Sequence, residues 1–395
     1  MNASERLFGD LLGRAGVTLN GPAPWDVRVH DTRVYDRALL QKNLGLGEAY
    51  MDGWWDCGQL DEFFRRVLAA HLDEAVRGGP RLLLSLLPAL LRNRQTRRGA
   101  LQAARRHYDL GNDLFRAFLD PRMQYSCAYF EDGAESLAEA QLAKLELVCG
   151  KLGLKPGDHL LDIGCGFGGL ARHAAETRGC RVTGVNISRE QIAFAREHCA
   201  GLPVEILESD YREIPGAYTK AVSVGMFEHV GARNHRTYMR AVLNALEPGG
   251  VFLLHTIGAN PTAPGCDPWI ERYIFPRGDL PSPMQIARAA EGLFVIEDWH
   301  NLGPHYARTL RCWHANFEAA WPGLAGRYGE RFRRMWRYYL LSSAGAFAAR
   351  DIQVWQVVLT PVGAPQPPCR PERRGQDQDE GVSLSPAGPR ANLAR

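Results

Sequence analysis

The sequence has no paired cysteine motif and no long apolar run. Its nine cysteines are odd in number and scattered, with no C-x-x-C pair, which argues against a zinc or dithiol redox site and fits reduced thiols in a cytoplasmic protein. No stretch approaches the roughly 20 uninterrupted apolar residues that a transmembrane helix needs. Residues 1–20 lack the basic start, continuous apolar region and cleavage site of a signal peptide. We therefore expect a cytoplasmic protein without a metal site, and any membrane contact to be peripheral.

The chain also lacks a strong net charge. The formal charge is +3 and 23% of the 395 residues are charged, so we expect no nucleic-acid partner. The hydrophobic share of 45% supports a sizeable core, and the length favours more than one domain. We predict a small, mainly helical N-terminal domain over residues 1–105, a second domain over 106–360, and a disordered tail over 361–395, where Pro, Gln, Gly, Arg and Ser dominate.

One local segment is strongly basic. Residues 82–91 read LLLSLLPALL, and residues 81–108 contain seven arginines and no acid. An apolar helix beside fixed positive charges suits a peripheral protein resting on an anionic bilayer, at roughly 1 kcal/mol per arginine near the surface. The same pattern fits a core helix, kinked at Pro88, followed by a solvated basic loop. The residues alone leave both interpretations open.

From Leu160 onward, short apolar strands alternate with helical stretches. This rhythm predicts an α/β domain with a parallel sheet and helices on both faces. Seven strands fit the class I methyltransferase form of the Rossmann-like sheet. The predicted strands are residues 160–164, 181–186, 204–208, 221–226, 251–257, 294–299 and 352–360.

Two further segments are rich in aromatic residues. Residues 45–57, GLGEAYMDGWWDC, are broken by glycine and predict a packed loop and helix start in a local core. Residues 305–350 separate the sixth and seventh predicted strands and contain Trp, Tyr and Phe at many positions. They predict helical core by default. They would equally suit the wall of an acyl-chain tunnel over the carboxyl edge of the sheet, where ligands of open α/β sheets bind.

The motif that says most about chemistry is LLDIGCGFGGL, residues 160–170. An apolar strand reaches Asp162 and continues into Gly164, Gly166 and Gly168 before a helix. Glycines there permit positive φ and close approach of a ligand to backbone N–H groups. A bare G-x-G also occurs in dinucleotide folds. The acid placed before the glycines favours S-adenosylmethionine over a nicotinamide cofactor, because a carboxylate there can meet the ammonium group of the methionine moiety.

Residues after the next two strands extend this cofactor site. Asp210 and Tyr211 follow the third strand, where an acid can accept a hydrogen bond from the adenine amino group and a ring can stack. The second strand ends in GVNISREQ, which offers Asn186 and Gln191 to the ribose hydroxyls. Many methyltransferases carry an acid at that point. A nicotinamide dehydrogenase would also need one, and Asn186 argues against that alternative.

Several segments together resemble the cyclopropane-fatty-acyl-phospholipid synthases and the related mycolic acid cyclopropane synthases. The likeness extends from about residue 45 to residue 359. The segments are HYDLGNDLF (107–115), DPRMQYSCAYF (120–130), LLDIGCGFGGL (160–170), VGMFEHVG (224–231), LLHTIG (253–258), DPWIERYIFP (267–276) and DIQVWQVV (351–358).

The resemblance implies an S-adenosylmethionine-dependent transferase of one-carbon groups, EC 2.1.1.79. Such an enzyme adds a methylene to the cis double bond of unsaturated acyl chains in membrane phospholipids, through a carbocation that bound bicarbonate deprotonates. The N-terminal domain would then bind lipid at the anionic, inner face of the membrane. A homodimer would let two such domains share one membrane.

The resemblance also assigns roles to individual residues. Tyr125 and Ser126 would border the cofactor. The bicarbonate ligands would be Cys127, Glu228, His255, the Ile257 backbone and Tyr306, the last in PHYART. Two alternatives remain at this point: a related enzyme that turns the same cation into a methyl-branched or hydroxylated chain, and a lipid-binding protein that keeps the fold without catalysis.

Overall fold

The computed structural model describes residues 3–72, 111–131, 133–263 and 265–367. The arginine-rich segment, the predicted domain boundary at 105/106 and residues 368–395 of the predicted tail lie outside these ranges. Within them, no helix combines the length and hydropathy of a membrane span.

The described helices are α1 (Ala3–Arg14), α2 (Arg33–Met51), α3 (Leu60–Ala69), α4 (Asn112–Phe118), α5 (Leu137–Leu152), α6 (Gly169–Arg178), α7 (Arg189–His198), α8 (His235–Ala245), α9 (Pro268–Tyr273), α10 (Pro283–Ala290) and α11 (Gly303–Ala348). The strands are β1 (Arg28–Val29), β2 (Trp55–Asp56), β3 (His159–Ile163), β4 (Arg181–Asn186), β5 (Val204–Glu208), β6 (Tyr218–Val224), β7 (Leu246–Ala259), β8 (Phe294–Asn301) and β9 (Ile352–Pro361).

The main sheet has seven strands in the order β5-β4-β3-β6-β7-β9-β8, which confirms the predicted α/β class and strand count. The prediction of a wholly parallel sheet is wrong for β9, which runs antiparallel to both β7 and β8. The cause lies in α11, which breaks at Gly329 and folds back on itself, so that Tyr306 stacks near Phe347 at 4.6 Å. The chain thus returns to the sheet edge that it left.

Most strand boundaries agree with the sequence prediction within three residues, but β7 starts five residues earlier than expected. Its first residues read LEPGG, and Pro248 followed by two glycines is a turn signal by local rules. Pairing with Tyr218 of β6 makes Leu246 the start of the strand. The sheet neighbour therefore overrides the local preference.

The N-terminal helices pack directly on the α11 hairpin. Tyr338 lies against Tyr50 at 5.5 Å, Phe64 at 5.2 Å and Trp269 at 4.6 Å. These rings belong to a single buried hydrophobic cluster that contains residues from both parts of the chain. The core predicted over residues 45–57 is confirmed, although residues 45–51 form the end of α2 rather than a loop.

The bounds of helix α5 follow from its local sequence. Ser136 and Glu139 form a capping box at its start, and Gly153 ends it in the left-handed conformation at φ 60°. Its buried side is mostly apolar, but it includes the polar residues Gln141, Lys144 and Lys151. This helix lies behind the carboxyl edge of the sheet, where the cleft described next opens.

Candidate active site

A cleft opens at the carboxyl end of β3, where the strand order reverses between β4 and β6. The loop after β3 turns through Gly164 at φ 79° and Gly166 at φ 55°. A Cβ on Gly164 would lie 2.9 Å from Met226, which lines the opposite wall. The loop backbone is thereby held close to the space that a ligand would occupy.

Asp162 is the acid at the base of this cleft. It is 2% exposed, and its Oδ2 has no hydrogen-bond partner among the described residues. Burial raises the pKa of Asp162 to about 7, while the positive charge of Lys144 opposes the rise. An unpartnered buried carboxylate oxygen suits the ammonium group of a bound amino acid moiety.

The far end of the cleft holds the residues predicted to meet the nucleoside. Asn186, Gln191, Asp210 and Tyr211 all line it. Asn186 already accepts hydrogen bonds from two backbone amides of its own turn and donates to Gln191 Oε1 at 3.0 Å. Asp210 accepts a bidentate hydrogen bond from Arg212 at 2.9 Å. These contacts fix both side chains in place at the rim.

Gly168 differs from the other predicted cofactor residues. It does not appear among the described residues that line the cleft. It stands at φ 79° before α6, where a Cβ would lie 3.0 Å from Ala195 and 3.1 Å from the Cys199 sulfur of the α7 region. Its position therefore serves the close packing of α6 on α7, which in turn positions the loop.

A second group of polar residues lies at the end of β7. Glu228 Oε1 accepts a hydrogen bond from the Ile257 N–H at 2.6 Å. Glu228 is buried, its Oε2 is unpartnered within the part of the chain that the structure describes, and burial raises its pKa to about 7. His255, two residues before Ile257 on the same strand, contacts Gln356 Nε2 through Nδ1 at 3.3 Å.

Cys127 and the backbone of Tyr306 both contact Leu302, the residue before α11. The Cys127 thiol lies 3.8 Å from the carbonyl oxygen of Leu302, and the Tyr306 N–H donates to the same oxygen at 3.3 Å. Leu302 in turn donates to the Val354 carbonyl at 2.8 Å, and Val354 is the register partner of Ile257. Through β9 the structure joins this pair to the group at the end of β7.

The protonation states in this second group follow from burial. Burial, together with the charges of Lys144 and Lys151, lowers the pKa of His255 to about 3, so the imidazole is neutral. If the Gln356 amide donates to Nδ1, the proton of His255 sits on Nε2. Burial raises the pKa of the Cys127 thiol, which remains a hydrogen-bond donor rather than a thiolate.

Comparison with known proteins shows the family to which this chain belongs. The model of the mycolic acid cyclopropane synthetase family matches residues 95–357. The cyclopropane-fatty-acyl-phospholipid synthase of Escherichia coli strain K12 is 52% identical over 90% of this chain and 93% of its own. The chain belongs to the mycolic acid cyclopropane synthetase family.

Two further similar proteins extend the comparison. A tuberculostearic acid methyltransferase of Mycobacterium tuberculosis is 38% identical over 82% of this chain and 80% of its own. The crystal structure of a mycolic acid cyclopropane synthase complexed with SAH and CTAB superposes with a TM-score of 0.62 at 32% identity, covering 66% of this chain and 97% of that one.

Membership of the cyclopropane synthetase family confirms three expectations from the sequence: the resemblance itself, the class I methyltransferase fold, and an S-adenosylmethionine-dependent transferase of one-carbon groups. The cleft residues fit that cofactor. Asp162 Oδ2, without a hydrogen-bond partner among the described residues, suits its ammonium group, and the positive-φ loop offers backbone N–H groups.

The sequence did not predict the buried polar residues that contact the cleft lining in this member of the cyclopropane synthetase family. Lys144 is 1% exposed, and its Nζ lies 2.5 Å from Gln124 Oε1 and 3.0 Å from Ser126 Oγ. Gln141, fully buried, donates to the Ser126 carbonyl at 2.9 Å. The available signal was a glutamine and a lysine on the apolar stripe of α5, since such residues are rarely buried without a partner.

An aromatic wall stands beside the cleft. Tyr125 lines the cleft, and its ring lies 5.3 Å from Phe115 and 5.1 Å from Trp313. Its hydroxyl is 2.9 Å from that of Tyr339. The expectation of aromatic core over residues 305–350 is confirmed by the burial of Trp313 and Tyr339. These α11 residues also contact a residue of the cleft lining.

Proposed function

We propose that this protein is a cyclopropane-fatty-acyl-phospholipid synthase. It would add a methylene from S-adenosylmethionine across the cis double bond of an unsaturated acyl chain in a membrane phospholipid, with bicarbonate as proton acceptor. The observation that carries the proposal is the 52% identity to the Escherichia coli enzyme of that name along nearly the full length of both chains. The hydrogen bond of Glu228 to the Ile257 N–H, with His255 on the same strand, supports it.

The cofactor would lie between the glycine loop and the far rim of the cleft. When bound, S-adenosylmethionine supplies a methyl group made electrophilic by its sulfonium centre. The binding residues we propose are Tyr125, Ser126, Asp162, Gly164, Gly166, Asn186, Gln191, Asp210 and Tyr211, with Gly168 acting through packing.

The aromatic wall suits the carbocation that this chemistry places on the acyl chain. A ring face stabilises a nearby cation by roughly 0.5–2 kcal/mol without forming a covalent bond to it. Tyr125 and Phe275 both line the cleft, and Trp313 stands behind Tyr125. These rings also keep water away from a cation that would otherwise be captured as an alcohol.

Bicarbonate would be held by Cys127, Glu228, His255, Tyr306 and the Ile257 backbone. When bound, it would accept the proton lost from the new methyl group as the ring closes. The Ile257 N–H donates to Glu228 Oε1, so it would hold the ion by orienting that carboxylate. His255 would offer Nε2–H as a donor to the oxyanion, and burial keeps the imidazole neutral.

Glu228 is suited to carry the proton away from this site. Its pKa, raised to about 7 by burial, allows it to gain and lose a proton near neutral pH. Oε2, which has no hydrogen-bond partner among the described residues, is the atom that would receive the proton, because Oε1 accepts from the Ile257 N–H.

The lipid substrate determines the remaining proposals. Residues 1–105 would form the lipid-binding domain, and the arginines of residues 81–108 would attract an anionic membrane surface. The protein would then work peripherally on the cytoplasmic face of the membrane. A homodimer would place two such surfaces on one bilayer.

The decisive experiment uses S-adenosylmethionine carrying a CD3 methyl group, with vesicles of cis-unsaturated phosphatidylglycerol. Ring formation loses one deuterium to the base, so the product chain gains one carbon and keeps two deuterium atoms in a ring visible by NMR. If the cation instead lost a proton from the acyl chain, the product would be methyl-branched, would keep a double bond and all three deuteriums, and would favour a methyltransferase without ring closure. Absence of any product, with the cofactor bound, would reject the enzymatic proposal. Removal and re-addition of bicarbonate tests the acceptor separately.

A further inference from the structure

We propose that Lys144 is a positioning residue of the cofactor site, which anchors the Gln124–Ser126 segment against the cleft and keeps Asp162 ionised for the ammonium group of the cofactor. The proposal depends on the use of S-adenosylmethionine and is independent of which lipid product forms. Lys144 is a buried cation with neutral hydrogen-bond partners, so the packing of the fold does not explain its charge.

The contacts of Lys144 lead directly to the cleft lining. Its ammonium group donates to Gln124 Oε1 at 2.5 Å and to Ser126 Oγ at 3.0 Å, and both residues line the cleft. One turn earlier on α5, Gln141 Nε2 donates to the Ser126 carbonyl at 2.9 Å and approaches the Gln124 carbonyl at 3.4 Å. Helix α5 therefore holds both the side chains and the backbone of this segment.

The segment is fixed on its other side as well. Asp120 accepts from the Arg122 and Gln124 amides at 2.9 and 2.8 Å. At Gly169, the first residue of α6, a Cβ would lie 2.1 Å from the Arg122 carbonyl oxygen. The segment thus passes in contact with the helix that follows the glycine loop, and moving it would move one wall of the cofactor cleft.

The charge of Lys144 acts on Asp162. Four acidic groups face the lysine: Asp120, Cys127, Asp162 and, on its own helix, Cys149. Burial raises the pKa of both thiols, so these stay neutral. Asp120 is already stabilised by backbone amides, whereas Asp162 Oδ2 has no hydrogen-bond partner among the described residues.

Among the described residues, Lys144 is the charged group that acts on the pKa of Asp162. The charge of Asp162 also affects the pKa of three other groups, Cys165, Cys199 and Tyr238. Burial raises the pKa of each, so all three are neutral. Lys144 is the charge that lowers the pKa of Asp162 against the burial that raises it. Without it, a carboxyl with a pKa already near 7 would be protonated at neutral pH.

Lys151 shows what a purely structural lysine looks like on the same helix. It lies seven residues after Lys144, is 2% exposed, and pairs with Asp298 at 2.9 Å and with His300 Nδ1 at 3.2 Å. Its charge is matched by a carboxylate of β8. The hydrogen-bond partners of Lys144 are instead a neutral amide and a hydroxyl, which leaves its charge available to Asp162.

The test compares K144M with the double variant K151M/D298L. The control removes a buried lysine from the same helix face together with its partner, a change that is often close to neutral for stability. S-adenosylmethionine binding is measured by calorimetry from pH 6 to 9 without lipid, so loss of ring formation cannot affect the result. The free ligand has the same pKa in every experiment. A difference in pH dependence between two proteins therefore reports a change in the binding site.

We expect K144M to bind S-adenosylmethionine about tenfold more weakly than the unmodified protein at pH 7, with the pH midpoint of binding moved up by about one unit and the difference shrinking towards pH 9. The control should keep the midpoint of the unmodified protein. If K144M fails to fold, K144Q retains a donor to Ser126 while losing the charge, and the same upward midpoint is expected. A folded K144M or K144Q with unchanged affinity and midpoint, or with an equal loss at every pH, would overturn the proposal.

Discussion

Glu228 offers a substitution that separates catalysis from folding. Replacing it with glutamine keeps the shape of the side chain, and the amide oxygen can still accept from the Ile257 N–H, which lies 2.6 Å from Oε1. The amide cannot take up a proton. If Glu228 carries the proton from the acceptor, E228Q should lower the rate of ring formation by about 10²- to 10⁴-fold while leaving the affinity for S-adenosylmethionine unchanged.

The same substitution, E228Q, should raise the free energy of unfolding above pH 7 although it lowers the rate. The folded protein holds Glu228 at a pKa of about 7, against a usual value of 4.5. Between these values the folded state binds a proton that the unfolded state has released, so the free energy of unfolding falls as pH rises through this window. Above pH 7 the buried charge costs roughly 3 kcal/mol, and E228Q removes it. An unsatisfied amide hydrogen offsets part of this, leaving an expected gain of roughly 1–3 kcal/mol at pH 8.

Two measurements check this reasoning. Urea unfolding at pH 5 and pH 8 should show E228Q gaining stability over the unmodified protein only at the higher pH. Vesicle assays at saturating cofactor give the rate. A variant that turns over at a near-normal rate refutes the proton-transfer role, and a variant less stable than the unmodified protein at pH 8 refutes the account of a destabilising buried charge.

Other substitutions test the rest of the site. G169A places a Cβ 2.1 Å from the Arg122 carbonyl oxygen, so we expect S-adenosylmethionine affinity to fall about tenfold or more, measured by calorimetry; unchanged affinity would contradict the close approach. His255 has a pKa of about 3, so H255N should lower the rate without moving the acidic limb of the pH–rate profile, and a moved limb would show that the imidazole titrates. K151M alone removes the ammonium group that lies 2.9 Å from the buried Asp298 carboxylate, and urea unfolding should show a loss of stability of about 3–5 kcal/mol; a smaller loss than in K151M/D298L would exclude a stabilising buried pair.

The fold was predictable where it depends on local pattern. Short apolar strands separated by helices predicted seven strands, and the sheet has seven. The direction of β9 was not predictable in this way, because it depends on whether residues 303–348 cross the sheet or double back. That choice is made at Gly329 and by ring contacts such as that between Tyr306 and Phe347.

The candidate site divides in the same manner. The glycine loop and Asp162 stand together in one stretch of sequence, and their roles follow from spacing and residue type. The role of Lys144 could not be predicted from the sequence, because its partner Ser126 lies 18 positions away and only folding brings the two within 3.0 Å. Gly168 is the reverse case: it sits within the motif, yet the contact with Ala195 that requires it lies on another helix.

The sequence by itself therefore determined the α/β class, the cofactor loop and the family, because each is written in short-range patterns of apolar, glycine and polar residues. Tertiary structure alone decided which of these groups are buried, charged and in contact. Cys127 reaches the Leu302 carbonyl across 175 positions of chain, and Glu228 and Asp162 owe pKa values near 7 to burial by distant segments. Desolvation depends on everything that packs around a group, so the chemistry of these carboxylates exists only in the folded chain.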